Sequence, residues 1–492
     1  MGFLIREEAV ASTFRIALIS LAVALACVTP TVAQIAPKIA PKVLAPVGPK
    51  LLTVVAGVPF EPIPASGPSK VSVAMCAEET EPATFSVRYS KPLSGVRVSA
   101  AGDFVGPGKI ERLHFQVSRV SGDRLVNQVS SSTGAVFAEA EIGPQPVQFW
   151  VNVTVPRRTP PGLYKGAIAF YHENKTFDSV PMEVQVWPLR LIGSSKQYSV
   201  YTAYGPGGAG DATLTGDAYR RFLDTFRKLQ FRSVSVNVVS ADASDALSAY
   251  KAVGLAEPVP MSGYAFGRCP GADDVLAVEA GRRTAGIGKM IYYCADNPTT
   301  DDQIETAAAQ AAFIRQAGGK TAARLSDECG LARLEPELDE LCYWVEMPKV
   351  RSFIDGSSKP TGWKWQWFWW DARKSALDNR RYAGVGLWKS GLYGAVAAWM
   401  PEECRDPTDG LDGMLGEALR EGIDDTRYLT TYMKALRELK DLKREKDKDY
   451  IATTESYVAT FLKRPLDQTR PADLAAFRAK LAEFSIALEK RL

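Results

Sequence analysis

VQFWVNVTVP at residues 147–156 and TGDAYRRFLDTFRKLQF at residues 215–231 are written in different periods, and that difference decides the fold. In the first stretch Val147, Phe149, Val151, Val153 and Val155 alternate with Gln148, Trp150, Asn152 and Thr154, the pattern of a strand whose successive side chains point to opposite faces. In the second, Tyr219, Phe222, Leu223, Phe226 and Leu229 fall three and four residues apart, a single stripe along a helix.

Working outward from the first stretch, ATFSVRY (83–89), YKGAIAFY (164–171) and VPMEVQVW (180–187) alternate in the same way, and PRRTPPGLY (156–164) between two of them is turn chemistry. Short strands separated by Gly and Pro predict an antiparallel β-sandwich over 51–190. After WPLRL (187–191) the period changes. The helix at 215–231 is followed by a strand, SVSVNVV, and the alternation recurs in KMIYYCAD, in DDQIETAAAQAAFIRQAG ending on glycine, and in KTAARLSDE. Later strands read CYWVEM, WKWQWFWW and GAVAAWM. The fold class is therefore mixed, the sandwich being followed by a (β/α)8 TIM-type barrel over 196–430 with its active site at the C-terminal strand ends. A doubly wound sheet is the runner-up, but no Gly-rich phosphate loop follows a strand. From 411 the chain reads as helical, with a C-terminal helical extension over 431–492. ELKDLKREKDKD is a solvated face, and Leu474, Phe477, Leu481, Phe484 and Leu488 form an apolar stripe expected to pack on the barrel.

At the other end, IALISLAVALACV (16–28) is too short to span a bilayer, follows Arg6 and Arg15, and precedes a small-residue cleavage site after Ala33. Residues 1–33 thus read as a signal peptide and the protein as exported, periplasmic or extracellular, with Cys27 a weak lipidation site. QIAPKIAPKVLAPVGPK (34–50) is a stiff Pro-rich linker. Cleavage leaves Cys76, Cys269, Cys294, Cys329, Cys342 and Cys404, none in CxxC spacing, expected mostly as buried thiols. No other stretch is apolar enough to cross a membrane. A net charge of +3 gives no reason to expect a nucleic-acid partner.

The two histidines, His114 and His172, both lie in the part of the chain read as the sandwich. Ser-His-Asp triads and HExxH zinc sites need an imidazole at the reaction, so a barrel site has to work with carboxylates and aromatics, and no cofactor or metal is called for. Eight of ten tryptophans fall between Trp344 and Trp399. Sugars stack their C–H faces on such rings, so the expected partner is carbohydrate, and at least one of Trp369, Trp370 and Trp399 is expected to line a pocket. The acids at predicted strand ends are Asp296, Asp327, Glu328, Glu346, Asp371, Glu402 and Glu403. Glycoside hydrolysis ordinarily takes one carboxyl group as acid and a second group to meet the developing oxocarbenium ion. Tyr204, Asn237, Tyr293, Trp369, Trp370, Asp371, Trp399 and Glu402 complete the expected sugar-binding set. Asp296, Tyr204, Trp370 and Trp399 are expected to open into one cavity.

VQFWVNVTVPRRTPPGLYKGAIAFY, YYCADNP, WWDARKSALDNRRYAGVGLWKSGLYGAVAAW (369–399) and GEALREGIDDTRYL (416–429) together resemble glycoside hydrolase family 123 and the wider group known as domain of unknown function 4091. The resemblance covers most of residues 55–435, and its last two stretches are the most specific. It implies a β-sandwich fused to a (β/α)8 barrel and exo-action on β-linked N-acetylgalactosamine. In that reaction the substrate's own acetamide oxygen attacks the anomeric carbon, an Asp orients the acetamide, and the adjacent Glu is the general acid/base. Here the matching segment is Ala295-Asp296-Asn297-Pro298, so Asp296 carries over and the acid does not. An amide cannot protonate a leaving oxygen, and losing acid assistance forfeits about 10² to 10⁴ in rate. Asn297 is left to hydrogen-bond a sugar hydroxyl or the acetamide, and three outcomes follow: another acid compensates, Glu328 at the next strand end first, the pocket has become a binding site, or it serves a different substrate. An alternative alignment makes Asp327 and Glu328 the pair.

Overall fold

The structure, a computed structural model, describes residues 52–100, 104–107, 113–129, 136–202, 204–207, 213–237, 243–255, 261–262, 272–288, 290–326, 333–356, 366–373, 375–399 and 413–492. All of them fall in one compact unit, Ala45–Leu492. The expected signal peptide, Cys27 and the Pro-rich linker lie outside the described residues, as do Cys269, Cys329 and Cys404.

Two separate sheets carry the two periods. The first comprises β1 (Leu52–Gly57), β2 (Val71–Met75), β3 (Thr80–Tyr89), β4 (Leu93–Ala100), β5 (His114–Ser121), β6 (Arg124–Val126), β7 (Gln128–Val129), β8 (Val136–Ile142), β9 (Val147–Thr154), β10 (Gly162–His172) and β11 (Lys175–Val186). They are joined in the order β1-β3-β9-β5-β8-β4-β10-β11-β2, with β6 on β5 and β7 on β8. Pairing is antiparallel except for β11 with β2 and one residue pair of β5 with β8. On β9, Phe149, Val151 and Val153 enter a core with Phe85 and Phe170, as the alternation predicts. The opposite face of β9 is also covered: Trp150 and Asn152 are buried, and Asn152 Nδ2 donates to Glu417 Oε1 at 2.7 Å, from a helix more than 250 residues along the chain.

The second sheet comprises β12 (Gln197–Thr202), β13 (Ser233–Val234), β14 (Met261–Ser262), β15 (Ile291–Asp296), β16 (Lys320–Leu325), β17 (Glu340–Trp344), β18 (Gln366–Asp371) and β19 (Gly394–Trp399), all paired in parallel in the order β13-β12-β19-β18-β17-β16-β15-β14. The chain's first strand in this sheet lies beside its last, so the sheet curls into a nearly closed, barrel-like shape with β13 and β14 as its two edges. The helices are α1 (Gly216–Lys228), α2 (Ala243–Val253), α3 (Ala272–Ala285), α4 (Asp301–Gln316), α5 (Pro348–Asp355), α6 (Ala376–Arg381), α7 (Leu387–Ser390), α8 (Met414–Asp441), α9 (Lys448–Leu462) and α10 (Pro471–Glu489). In α1 the expected stripe of Tyr219, Phe222, Leu223 and Phe226 is the buried face. Thr300 and Gln303 close a capping box at the start of α4. Among the described residues no helix is long and apolar enough to cross a membrane.

The C-terminal region is helical, but its elements do not divide where the sequence suggests. α8 runs without a break through residue 430, because its buried face continues from Gly416 to Leu439. ELKDLKREKDKD is not one helix face. α8 stops at Asp441, Lys443 takes φ +51°, and α9 begins at Lys448. The stripe on α10, from Leu474 to Leu488, joins the core that lies outside the parallel strands. A widened turn at Tyr382–Gly386 crosses α8 at Gly422, where a Cβ would stand 2.7 Å from the carbonyl oxygen of Arg380. Two of the family-like stretches thus meet backbone to backbone.

Candidate active site

Side-chain parity in the parallel sheet sorts the candidate residues onto two faces. Tyr201, Tyr293 and Trp369 point to the interior, where they form a small cluster with Ala322, Cys342 and Val396. Tyr201 lies 4.7 Å from Trp369 and 5.4 Å from Tyr293, and Tyr293 stacks on Trp369 at 5.6 Å. Burial, with the charge of Asp296 next, pushes the Tyr293 hydroxyl well above the usual phenol range, so it stays a proton donor.

Asp296 reaches this interior side through an irregularity. Simple alternation from Tyr293 would turn Asp296 outward. Between Tyr293 and Ala295 the register slips, so that Tyr293 faces Ala322, Ala295 faces Ala323, and Asp296 faces Arg324. Cys294 and Ala295 both lie in the outer core, and Cys294 Sγ donates to the Ala322 carbonyl at 3.2 Å. A bulge that re-aims the next side chain is a recurring device beside active sites. Asp296 Oδ1 consequently sits 2.5 Å from Arg324 Nε as an ion pair, although Nε finds no acceptor at a hydrogen-bonding angle. The Arg324 guanidinium lies 4.6 Å from the Trp344 ring and 5.6 Å from that of Trp369. Trp344 Nε1 in turn donates to Glu346 Oε2 at 3.1 Å. The indole N–H of Trp369 is buried and has no hydrogen-bond partner among the described residues.

Asn297 is committed elsewhere. Its backbone adopts φ +52°, a left-handed conformation that asparagine tolerates better than most residues, and its N–H donates to the Arg324 carbonyl at 2.8 Å. Its side-chain Oδ1 accepts from the backbone N–H of Ser326 at 3.0 Å and from the Ser326 hydroxyl. The residue ties the end of β15 to the end of β16 and leaves only its NH2 group for a ligand. Asp371 shares the interior parity of Trp369, and its Oδ1 accepts from the backbone N–H of Arg373 at 3.0 Å while the guanidinium approaches at 3.3 Å.

The expected common cavity is corrected by the same parity. Trp370 and Trp399 alternate with the interior residues and are buried in the outer core between strands and helices, where Trp370 Nε1 donates to Asn379 Oδ1 at 2.9 Å. Tyr204 joins that outer core too, against Phe222 at 5.6 Å. Of the four, only Asp296 lies on the interior side. Asn237 is buried and its carbonyl accepts from Gly207 at 2.9 Å, closing the loop after β12. Glu328, Glu402, Asp327 and Glu403 lie outside the described residues. Cys76, Cys294 and Cys342 are buried thiols, as expected. Sequence reasoning missed Arg324, Tyr201 and Trp344. The signal for Arg324 was there: an arginine inside the apolar run KTAARL must have a partner or a ring to lie on.

No family model and no curated protein matches the chain. Among solved structures, a family 123 glycoside hydrolase from Clostridium perfringens, studied for glycolipid glycan hydrolysis, superposes with a TM-score of 0.60 at 10% identity, over 90% of this chain and 100% of that one. The superposition shows that the chain shares the overall fold of that enzyme. A family 2 glycosyl hydrolase from Bacteroides cellulosilyticus matches with a TM-score of 0.30 at 10% identity, over 70% of this chain and 45% of that one. A family 5 xyloglucanase from Bacteroides ovatus gives 0.31 at 10% identity, over 72% and 98%.

Proposed function

We propose that this chain is an exported glycoside hydrolase-like protein acting on β-linked N-acetylhexosamine-containing glycans by substrate-assisted retaining hydrolysis. In this reading a β-sandwich carries a (β/α)8 barrel whose mouth takes the sugar. The observation that carries it is the Asp296–Arg324 pair beside Trp369, at the C-terminal ends of parallel strands, where barrel enzymes keep their chemistry. A family 123 fold supports the same substrate class.

The acetamide oxygen of the bound sugar bonds to the anomeric carbon while the glycosidic C–O bond breaks and the leaving oxygen takes a proton. Asp296 faces the positive charge that develops on the acetamide. Water then bonds to the same carbon as its bond to the acetamide oxygen breaks, the water's proton returns to the group that protonated the leaving oxygen, and the acetamide is restored with net retention. Asn297 cannot give the proton, having no acidic group. Glu328 carries that role in this reading.

A second reading, a catalytically impaired carbohydrate-binding protein on the same scaffold, is favoured by one observation: Asn297 stands where the family places its acid and is engaged with Ser326. Turnover of a panel of aryl and unactivated β-N-acetylhexosaminides, beside calorimetric binding of the same sugars, separates the two. Hydrolysis of unactivated substrates supports the first reading, binding without turnover supports the second, and neither binding nor turnover removes both.

A further inference from the structure

The stretch GEALREGIDDTRYL takes no part in the site above. It forms the first half of α8 and faces the first sheet and α10. Six buried or nearly buried carboxylates meet there, Glu79, Glu81, Glu417, Glu421, Asp424 and Asp425, among four guanidinium groups, Arg380, Arg420, Arg427 and Arg478. With every group ionised, two negative charges remain uncompensated in a setting where unpaired charge is costly.

Their location is specific. Asp424 holds Arg427 at 2.7 Å and Arg420 at 3.3 Å, Glu81 pairs with Arg478, and Glu421 and Asp425 share Arg478 and Arg380. Glu79 alone of the six has no arginine or lysine within ion-pair distance among the described residues. It is buried in β3's approach, and its Oε2 accepts from the backbone N–H of Cys76 at 2.7 Å and from the Tyr428 hydroxyl at 2.6 Å. Its Oε1 is buried with no hydrogen-bond partner. One oxygen each from Glu79, Glu81 and Asp424 lie within 4.8 Å of one another. Ca²⁺ bridges such a span with ligands at about 2.3 to 2.6 Å, and carboxylate oxygens that already meet an arginine keep further lone pairs to offer.

We propose that Glu79, Glu81 and Asp424 bind a divalent cation of the calcium class, which offsets the residual charge and fastens α8 to the first sheet. The orphaned Oε1 of Glu79 is the ligand that has no other task. A proton on Glu79 is the rival occupant.

The test uses the full chain purified without chelator. Elemental analysis is expected to find a single calcium-class ion per chain. Stripping with EDTA is expected to lower Tm by several degrees and CaCl2 to restore it, while Glu79→Gln responds to neither. Should that variant fail to fold, Tb³⁺ added to the stripped wild-type protein is expected to emit when Tyr428 is excited and to be displaced by CaCl2. A chain that carries no ion, whose Tm ignores both EDTA and CaCl2, overturns the proposal and leaves the proton in place. Absence of sensitised Tb³⁺ emission overturns it equally.

Discussion

Asp296 and Arg324 face each other at 2.5 Å because one extra residue in β15 turns Asp296 to the interior side, and the arginine then lies beside the rings of Trp344 and Trp369. The pair links the acid expected to meet the sugar with the aromatic lining beneath it. Arg324 is 23% and Asp296 42% exposed, so the pair's worth lies in positioning more than in stability.

Arg324→Lys should therefore shift thermal stability by no more than about 1 kcal/mol. It should weaken sugar binding about tenfold, because a compact ammonium group cannot both pair with Asp296 and lie against the Trp344 and Trp369 rings as the guanidinium does. Calorimetric titration with an N-acetylhexosamine measures the second effect. An unchanged affinity would take Arg324 out of the site.

Asn297→Glu tests whether a missing acid is all that separates this chain from an efficient hydrolase. The substitution puts a longer side chain at φ +52° and removes an acceptor from Ser326, so a loss of about 1 to 2 kcal/mol in stability is expected. If the chain is an enzyme, turnover of unactivated glycosides should rise more than that of aryl glycosides, whose leaving groups need little proton assistance. In a binding protein the second carboxylate beside Asp296 should instead lower affinity.

Glu340 opens β17 at the opposite, N-terminal end of the barrel-like sheet, buried, with its Oε2 accepting from Trp367 Nε1 at 2.8 Å. Burial raises its carboxyl from 4.5 to about 7, against the pull of Lys320 and Trp367. Because the folded value is the higher, its contribution is fully present below about pH 4.5 and is lost as pH rises through about 7. Glu340→Gln keeps an acceptor for the indole and cannot ionise. Relative to wild type it should gain up to about 3 kcal/mol between pH 4 and pH 8, read from urea midpoints. Parallel pH profiles for the two proteins would contradict the assignment.

The two neighbouring tryptophans should separate cleanly. Trp370→Phe strands Asn379 Oδ1 in the outer core and should destabilise by about 1 to 3 kcal/mol while leaving sugar affinity alone. Trp369→Phe removes an indole N–H that has no partner among the described residues, so its cost in stability should be smaller and its effect should fall on binding. The reverse pattern would mean that the interior and outer faces have been exchanged.

Much of this was legible in the chain. The change from period two to alternating strand and helix near WPLRL appears as two separate sheets, the first ending at Val186 and the second beginning at Gln197. The helix stripe at Tyr219–Phe226 was readable because an amphipathic helix writes its buried face into its own spacing. What failed was parity at strand ends. WFWW offers four large apolar residues in succession, and nothing local says that Trp369 points inward and Trp370 outward. That is settled by where β18 meets Trp344 and Ala398 on its neighbours. The slip at Cys294 was invisible for the same reason, since a bulge leaves an unbroken run of strand-forming residues. Alternation was silent about what covers Trp150 and Asn152. They alternate with the core residues of β9 and are nevertheless buried, Asn152 bonded to Glu417 of α8, far along the chain, and Trp150 bonded to Asn152.

The most direct test of the central claim is the binding of an N-acetylgalactosamine thiazoline, a stable mimic of the cyclised acetamide, to wild type and to Asp296→Asn, followed by the fluorescence of the interior tryptophans. The account predicts saturable binding to the natural protein. It predicts a loss of about 2.7 to 4 kcal/mol, roughly 10² to 10³ in affinity, when the charge of Asp296 is removed. Equal affinity in the two proteins, or no binding to the natural one, would contradict it.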